Sequence, residues 1–293
     1  MPAAEPQSAT HPASPRIPPR VLSIAGTDPT GGAGIQADLK SIAANGGYGM
    51  AVVTALVAQN THGVRSVHTP PRAFLREQLD AVSDDVEIDA VKIGMLGDAA
   101  TIAVVREWLE RVSPVIVVLD PVMISTSGHR LLDAEAEEAL RELLPLADVV
   151  TPNIPELAAL AGSGTAPAGT WPELLAQGLD LAGSSGTIVL AKGGHLGGAA
   201  SPDALLDTRG RIPGGRFEVQ SERVDTRNTH GTGCSLSSAL ATRQAQLGDW
   251  TEALTVTKRW LTESLRHADD LHVGTGNGPI NHFHTLWSTG GLE

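Results

Sequence analysis

Cysteine is almost absent from this chain: among 293 residues there is one, Cys234. A single thiol excludes an internal disulfide and a cysteine-built zinc site, and it fits a reducing, cytoplasmic location. Basic residues are also scarce, 21 Lys and Arg against 33 Asp and Glu for a net charge of -12. That balance disfavours nucleic acid or an anionic membrane surface as a partner and otherwise serves solubility. No apolar run reaches the roughly 18 residues that a membrane span requires. Residues 1–19 are rich in Pro, Ala and Ser and contain no apolar segment resembling a secretory signal, so they are expected to be a disordered tail. A single domain is expected over 20–288, with a short tail at 289–293. There is no internal repeat. Two familiar phosphate-binding patterns are missing as well: no Lys-Ser/Thr pair closes a P-loop, and the glycine spacing is wrong for a dinucleotide fingerprint.

What is present is an alternation of short apolar runs and amphipathic segments. Runs at 21–25, 51–57, 90–93, 115–119, 149–150 and 187–191 predict buried strands, with helical spacing between most of them. In 98–112, Ile102, Val105, Leu109 and Val112 recur on one face behind Asp98 as N-cap. Asp133 is expected to start a helix carrying Ala136, Leu140 and Leu143. Segments 202–208 and 216–219 predict edge strands around Arg209-Gly210, and the last third predicts helices at 234–247 and 251–269. This order predicts an α/β fold with a mostly parallel sheet covered on both faces. In such sheets ligands bind at the carboxyl ends of the strands, and that is where the polar clusters fall.

The first cluster is Gly26-Thr27-Asp28-Pro29-Thr30-Gly31-Gly32-Ala33-Gly34, with Asp38 just inside the following helix. Its glycines admit a small ligand to the backbone. Asp38 reads either as an acceptor for an amino or hydroxyl group or as a solvated first-turn acid. Asp120-Pro121-Val122-Met123 places an acid at a strand end, where it can hold a magnesium-bound water. Asn153 and Glu156, three apart at a helix start, can face one hydrated cation; the same spacing is that of a capping box. Lys192-Gly193-Gly194-His195 sets a lysine at a strand end, within reach of a nucleotide phosphate. The last cluster, Asn228-Thr229-His230-Gly231-Thr232-Gly233-Cys234, opens onto a small-residue helix. Its backbone N–H groups converge on an anion site at a helix N-terminus. Cys234 in the first turn is expected to have a lowered thiol pKa and to accept a proton near neutral pH, or else to be a small core residue. His282 and His284 lack a nearby third ligand and are expected to pack.

Taken together and in order, with Ala58-Gln59-Asn60-Thr61, Lys92-Ile93-Gly94-Met95-Leu96 and Gly278-Pro279-Ile280-Asn281-His282-Phe283-His284, these motifs resemble the bacterial hydroxymethylpyrimidine/phosphomethylpyrimidine kinases of thiamine biosynthesis. Those enzymes belong to the ribokinase-like superfamily, and the match runs from about Val21 to Trp287. The resemblance implies a single-domain three-layer α/β/α kinase that uses ATP and Mg²⁺, and a homodimer. It implies that Asp38, Gln59 and Met95 hold the pyrimidine, with backbone help near Gly26 and Val122. Cys234 stands as the base, with the N–H groups of Gly231, Thr232 and Gly233 around the transferring phosphoryl group. Asp120 and Glu156 would order Mg²⁺ through water, with Asn153 beside them, and Lys192 and Lys258 would face phosphates. Pyridoxal kinase, from the same superfamily, and a non-catalytic pyrimidine-binding protein are the alternatives. Ser125–His129 and 209–215 are candidate lids.

Overall fold

The computed structural model describes residues 17–123, 134–162 and 164–287. Nine strands form one sheet: β1 (Arg20–Gly26), β2 (Tyr48–Asn60), β3 (Gly63–His68), β4 (Ala90–Ile93), β5 (Val117–Leu119), β6 (Val149–Val150), β7 (Ile188–Lys192), β8 (Ala200–Leu206) and β9 (Arg216–Glu222). Their spatial order is β3-β2-β1-β4-β5-β6-β7-β8-β9. The six strands from β2 to β7 in that order are parallel. The edges are antiparallel, β3 on β2 at one side and the β7-β8-β9 meander at the other. Strand order reverses at β1, which lies between β2 and β4, and the crevice at such a switch point is where open α/β sheets take ligands.

Helices cover both faces because the central strands are apolar on both. Ala90, Val91 and Ile93 of β4 are fully buried, as are all three residues of β5. One face carries α2 (Arg72–Ser83), α3 (Ala99–Val112), α4 (Ala134–Leu143), α5 (Ile154–Ala161) and α6 (Trp171–Ser185). Their inward residues join Leu22, Ile24, Ile93 and Leu119 in the larger core around Trp108. The other carries α1 (Gly34–Ala44), α7 (Thr232–Leu247) and α8 (Trp250–Arg266) over Val21, Val118, Ile188 and Leu190; a final short helix, α9, spans His284–Trp287. Asp98 caps α3 by accepting from the Thr101 N–H. A Thr170/Glu173 capping box opens α6, and Gly186 closes it in the left-handed region, each cap contributing about 1 kcal/mol.

Helix α7 is rich in small residues and is buried continuously from Ser235 to Thr242. The lack of bulk lets it lie close on the sheet, and several of its hydroxyls are satisfied within the helix. Ser235, Ser237 and Thr242 donate to the carbonyls of Gly231, Gly233 and Ser238 one turn back, as mid-helix Ser and Thr do.

One expected strand differs in extent and one strand is new. β2 runs six residues further on its two sides than the apolar run 51–57, and β3, which sequence reading does not detect, pairs with its distal half to make a hairpin. The expected Asp133 helix start, the Ser125–His129 lid candidate and the tails 1–16 and 288–293 lie outside the described residues. The other lid candidate, 209–215, is corrected: β8 runs antiparallel to β7, pairing Lys192 with Asp203 and Val189 with Leu206. Residues 207–215 therefore sit at the amino ends of the parallel strands, at the opposite end of the sheet from the polar clusters, where Arg211 bonds Asp207 and the Gly186 carbonyl.

Candidate active site

The carboxyl ends of the parallel strands open into one cavity of about 790 Å³. Of the residues singled out from the sequence, Gly26, Gln59, Met95, Val122, Asp120, Asn153, Glu156, Lys192, Lys258 and the run Gly231–Cys234 all line it. At its centre, Gly231 has φ +77 and a Cβ there would run into the carbonyl of Gly32. Only glycine allows this crossing of backbones, and the crossing brings the first turn of α7 against the β1–α1 loop. The N–H groups at that helix start have no partner within the helix, although that of Thr232 donates to the Thr229 carbonyl at 3.3 Å, and the residues that carry them line the cavity. Gly233 is also closely approached: a Cβ would lie 3.5 Å from both Asp120 Oδ2 and Lys192 Nζ. The start of α7 and the charged cluster are therefore contiguous.

That cluster joins the ends of three strands. Asp120 Oδ1 accepts from Thr151 Oγ1 at 3.0 Å and from Lys192 Nζ at 3.4 Å. Asn153 and Glu156 do form the capping box of α5, each side chain accepting the other's backbone N–H at 2.9 and 2.8 Å, and both still line the cavity. Burial pushes the Glu156 carboxyl up to about 7; Lys192 pulls it down and Asp120 adds to the rise. Burial works against the charge on Lys192, but Asp120 and Glu156 together hold its pKa above the ordinary value. Lys258, reaching in from α8, is paired with Asp203 of β8 at 2.7 Å.

Two expectations need correction. Asp38 does not line the cavity. It is completely buried beneath it, where its carboxylate accepts from Lys92 Nζ at 2.8 and 2.9 Å, from Ser23 Oγ at 2.6 Å and from Ser238 Oγ at 2.8 Å. With both oxygens taken by β1, β4 and α7, it fixes α1 and α7 to the sheet and has no face to offer a pyrimidine. The second correction concerns Cys234, a half-buried residue of the cavity wall. Burial pushes its thiol up to about 11. The Lys92 ammonium and the Gly34 N–H oppose that rise, while the Asp38 and Asp120 carboxylates reinforce it. The helix N-terminus alone does not make this thiol acidic.

Sequence reasoning missed Lys92, although its signal was present: a lone lysine in the apolar strand Ala-Val-Lys-Ile demands a buried counter-charge. It also missed the tie between Asp28 and His230. His230 Nε2 lies 2.9 Å from Asp28 Oδ2, and Thr30, Gly32 and Ala33 donate to the same carboxylate. Burial opposes ionisation of Asp28, but the hydrogen bonds of His230 and Thr30 hold it well below the usual carboxylate range. Arg223, with no motif to mark it, donates to the carbonyls of Gly194, Gly198 and Leu196. It holds the loop after β7 against the cavity.

Residues 28–281 match the family model described as phosphomethylpyrimidine kinase. The chain is 61% identical over 266 residues to the thiamine biosynthesis multifunctional protein ThiED of Corynebacterium glutamicum, covering 91% of this chain and 34% of that protein. It thus spans about a third of the length of that relative. It is 50% identical over 267 residues to the hydroxymethylpyrimidine/phosphomethylpyrimidine kinase of Salmonella typhimurium, covering 91% of this chain and 98% of that one. Among solved structures, an ADP complex of Bacillus subtilis pyridoxal kinase superposes with a TM-score of 0.82 at 31% identity, covering 92% of this chain and 99% of that chain.

Proposed function

Because the chain belongs to the phosphomethylpyrimidine kinase family, we propose that it phosphorylates 4-amino-5-hydroxymethyl-2-methylpyrimidine from ATP, and then its monophosphate, giving the pyrophosphate used in thiamine biosynthesis. The observation that carries this reading is the contiguity of the α7 anion hole with Gln59 and Met95 on one side and Asp120, Glu156 and Lys192 on the other, in one cavity. The pyrimidine occupies the Gly26–Gln59–Met95–Val122 end. The amide of Gln59 pairs with its heteroatom edge, and the Met95 thioether lies on the ring. Without a carboxylate from Asp38, the edge is read by that amide and by backbone groups.

In the reaction, the hydroxymethyl oxygen forms a bond to the γ-phosphorus as the bond to the β,γ-bridging oxygen breaks, and the hydroxyl proton leaves. Charge on the transferring group is met by the N–H groups of Gly231 to Cys234 and by Lys192. Cys234 is the proton acceptor in this reading. A thiol near 11 leaves on the order of one part in ten thousand as thiolate at pH 7, so its contribution is smaller than that of the hole. Phosphoryl transfer tolerates this, since its transition state is loose and positioning dominates. The cluster suits Mg²⁺ bound through water: burial raises Glu156 and the Asp120 carboxylate adds to that rise, and a divalent cation would offset both. Bound there, Mg²⁺ would neutralise the phosphate oxygens. Lys258, which lines the same cavity paired with Asp203, is the second lysine for phosphate in this reading.

The test is turnover of ATP with the hydroxymethyl pyrimidine, its monophosphate and pyridoxal offered separately, with product masses recorded. Activity on both pyrimidines supports the reading. Preference for pyridoxal, a second reading favoured by the superposition on pyridoxal kinase, would replace it; binding without turnover would make the chain a sensor. A cytoplasmic homodimer belongs to the same reading. Light scattering on the eluting protein gives the mass.

A further inference from the structure

The hairpin that supplies Val57, Gln59 and Val64 to the cavity and the loop that supplies the anion hole belong to opposite ends of the sequence. One short segment touches both. Residues 274–279 lie across the hairpin tip: the Asn277 N–H donates to the Thr61 carbonyl at 2.9 Å, the Gly276 N–H to Thr61 Oγ1 at 3.2 Å, and Thr275 Oγ1 lies 2.9 Å from His62 Nε2. From its other side the segment holds the residues just before the hole. Asn277 Oδ1 accepts from the Thr229 N–H at 3.2 Å, the Gly278 carbonyl accepts from the His230 N–H at 3.0 Å, and the Gly278 N–H donates to Asn228 Oδ1 at 3.0 Å. Pro279 and His230 form a parallel bridge. His230 in turn is tied to Asp28. Asn277 stands at the middle, its main chain on the hairpin and its side chain on the anion-hole loop.

We propose that Asn277 is a positioning residue and that 274–279 is a strap coupling the pyrimidine hairpin to the anion hole, so that occupancy of one end of the cavity strengthens binding at the other. The hairpin root is tied separately, by the Val57 N–H on Thr27 Oγ1 at 2.9 Å. The tip is held to the strap by polar contacts, several of them exposed or half-buried. A latch of this kind opens locally at a small fraction of global stability, which suits an element that must admit substrate. Gly276 shows how close the fit is: a Cβ there would run into the Thr61 carbonyl, so a side chain at 276 lifts the tip without touching the cavity wall. Removal of the Asn277 amide leaves the tip bond, made by its N–H, and cuts the bond to Thr229.

The inference rests on the pyrimidine-kinase reading, and calorimetry separates the two. The pyrimidine is titrated into the full chain with and without a non-hydrolysable ATP analogue and Mg²⁺, and the ratio of the two dissociation constants is the coupling. In the native protein a ratio of about 5 or more is expected, within the usual range for coupled sites. In Asn277→Ala and Gly276→Ala it falls to within about twofold of unity, as loss of the coupling contact requires. The two variants differ otherwise: Gly276→Ala raises the pyrimidine KM, whereas Asn277→Ala lowers kcat with KM held. Thr61→Ala, which deletes the Oγ1 acceptor and the γ-methyl but keeps the main-chain carbonyl, serves if Gly276→Ala does not fold. Native-like coupling in the variants overturns the strap, as does a ratio of one in the native protein, or losses of kcat that merely follow a lower active fraction. Failure of the native protein to bind the pyrimidine at all overturns the kinase reading instead.

Discussion

His282 offers a test of the site's scaffold that depends on no substrate. The residue is 3% exposed, its Nε2 is 2.9 Å from Ser235 Oγ, and Ser235 Oγ itself donates to the Gly231 carbonyl at 2.8 Å. The single hydroxyl hydrogen is thus committed to Gly231, so the ring must donate from Nε2 and is neutral, with its other nitrogen enclosed. A second proton would put a charge in that enclosure. Burial, and then the nearby Lys40 ammonium, lower its pKa from 6.5 to about 3. The unfolded chain takes up this proton first as the pH falls. Stability from the neutral ring is therefore complete above pH 6.5 and is lost progressively down to about pH 3. At 1.36 kcal/mol per pH unit, the loss between pH 7 and pH 4 is about 3 kcal/mol. In melting temperature that is roughly 6–12 °C for a domain of this size. His282→Gln keeps an amide donor for Ser235 and cannot titrate. Thermal melts of both proteins at pH 7, 5.5 and 4 should show the native protein losing about 3 kcal/mol relative to the variant. A difference between them that stays constant within about 0.5 kcal/mol over that range would refute the assignment of a buried neutral ring.

Gly231→Ala should cost more than about 10³ in kcat, since it both strains a left-handed residue and drives α7 off the Gly32 carbonyl, whereas Cys234→Ala should cost about 10² or less; steady-state kinetics decide the order, and the reverse order would return the thiol to the leading role. Because burial sets the Cys234 thiol near 11, alkylation by iodoacetamide in the ligand-free protein should be slow at pH 7 and climb tenfold per unit toward pH 10; a plateau by pH 8 contradicts this. Asp38→Asn strands the Lys92 ammonium in the core and should destabilise by about 3–5 kcal/mol. It should leave the pyrimidine KM of the folded fraction nearly unchanged, and a large selective rise in KM would instead restore Asp38 as a ligand.

The sheet is legible in the sequence because its central strands are buried on both faces and so read as unbroken apolar runs, as at 90–93 and 187–191. β3 is not, since Gly63–His68 lies half in solvent on a hairpin and has neither a long run nor strict alternation. The close crossing at the start of α7 is legible from composition alone: only a glycine-rich turn feeding a small-residue helix packs so closely. The role of Asp38 was not, because a first-turn acid looks the same whether it faces water, a ligand or the core. What decides is Lys92, 54 residues away on a neighbouring strand. The Cys234 pKa failed for a related reason. A local dipole argument sees the helix start and not the enclosure, nor the carboxylates of Asp38 and Asp120 that the fold brings beside it. The misplaced 209–215 lid shows that composition identifies a turn but not the end of the sheet it occupies.

The placement of α7 has a consequence for how the chain is made. Strands β1 and β4 are complete by residue 93, yet the helix that covers them and receives the Asp38 carboxylate ends only at Leu247. At about 5–20 residues per second, an emerging chain leaves that apolar face only partly covered for roughly 8–30 s. Until then the lysine and aspartate beneath the hole lack their serine from α7, and the glycine crossing does not exist. Every shorter nascent intermediate has that side covered by α1 alone. Docking of α7 is accordingly the late step that closes this face of the sheet and completes the cavity wall from Gly231 to Cys234.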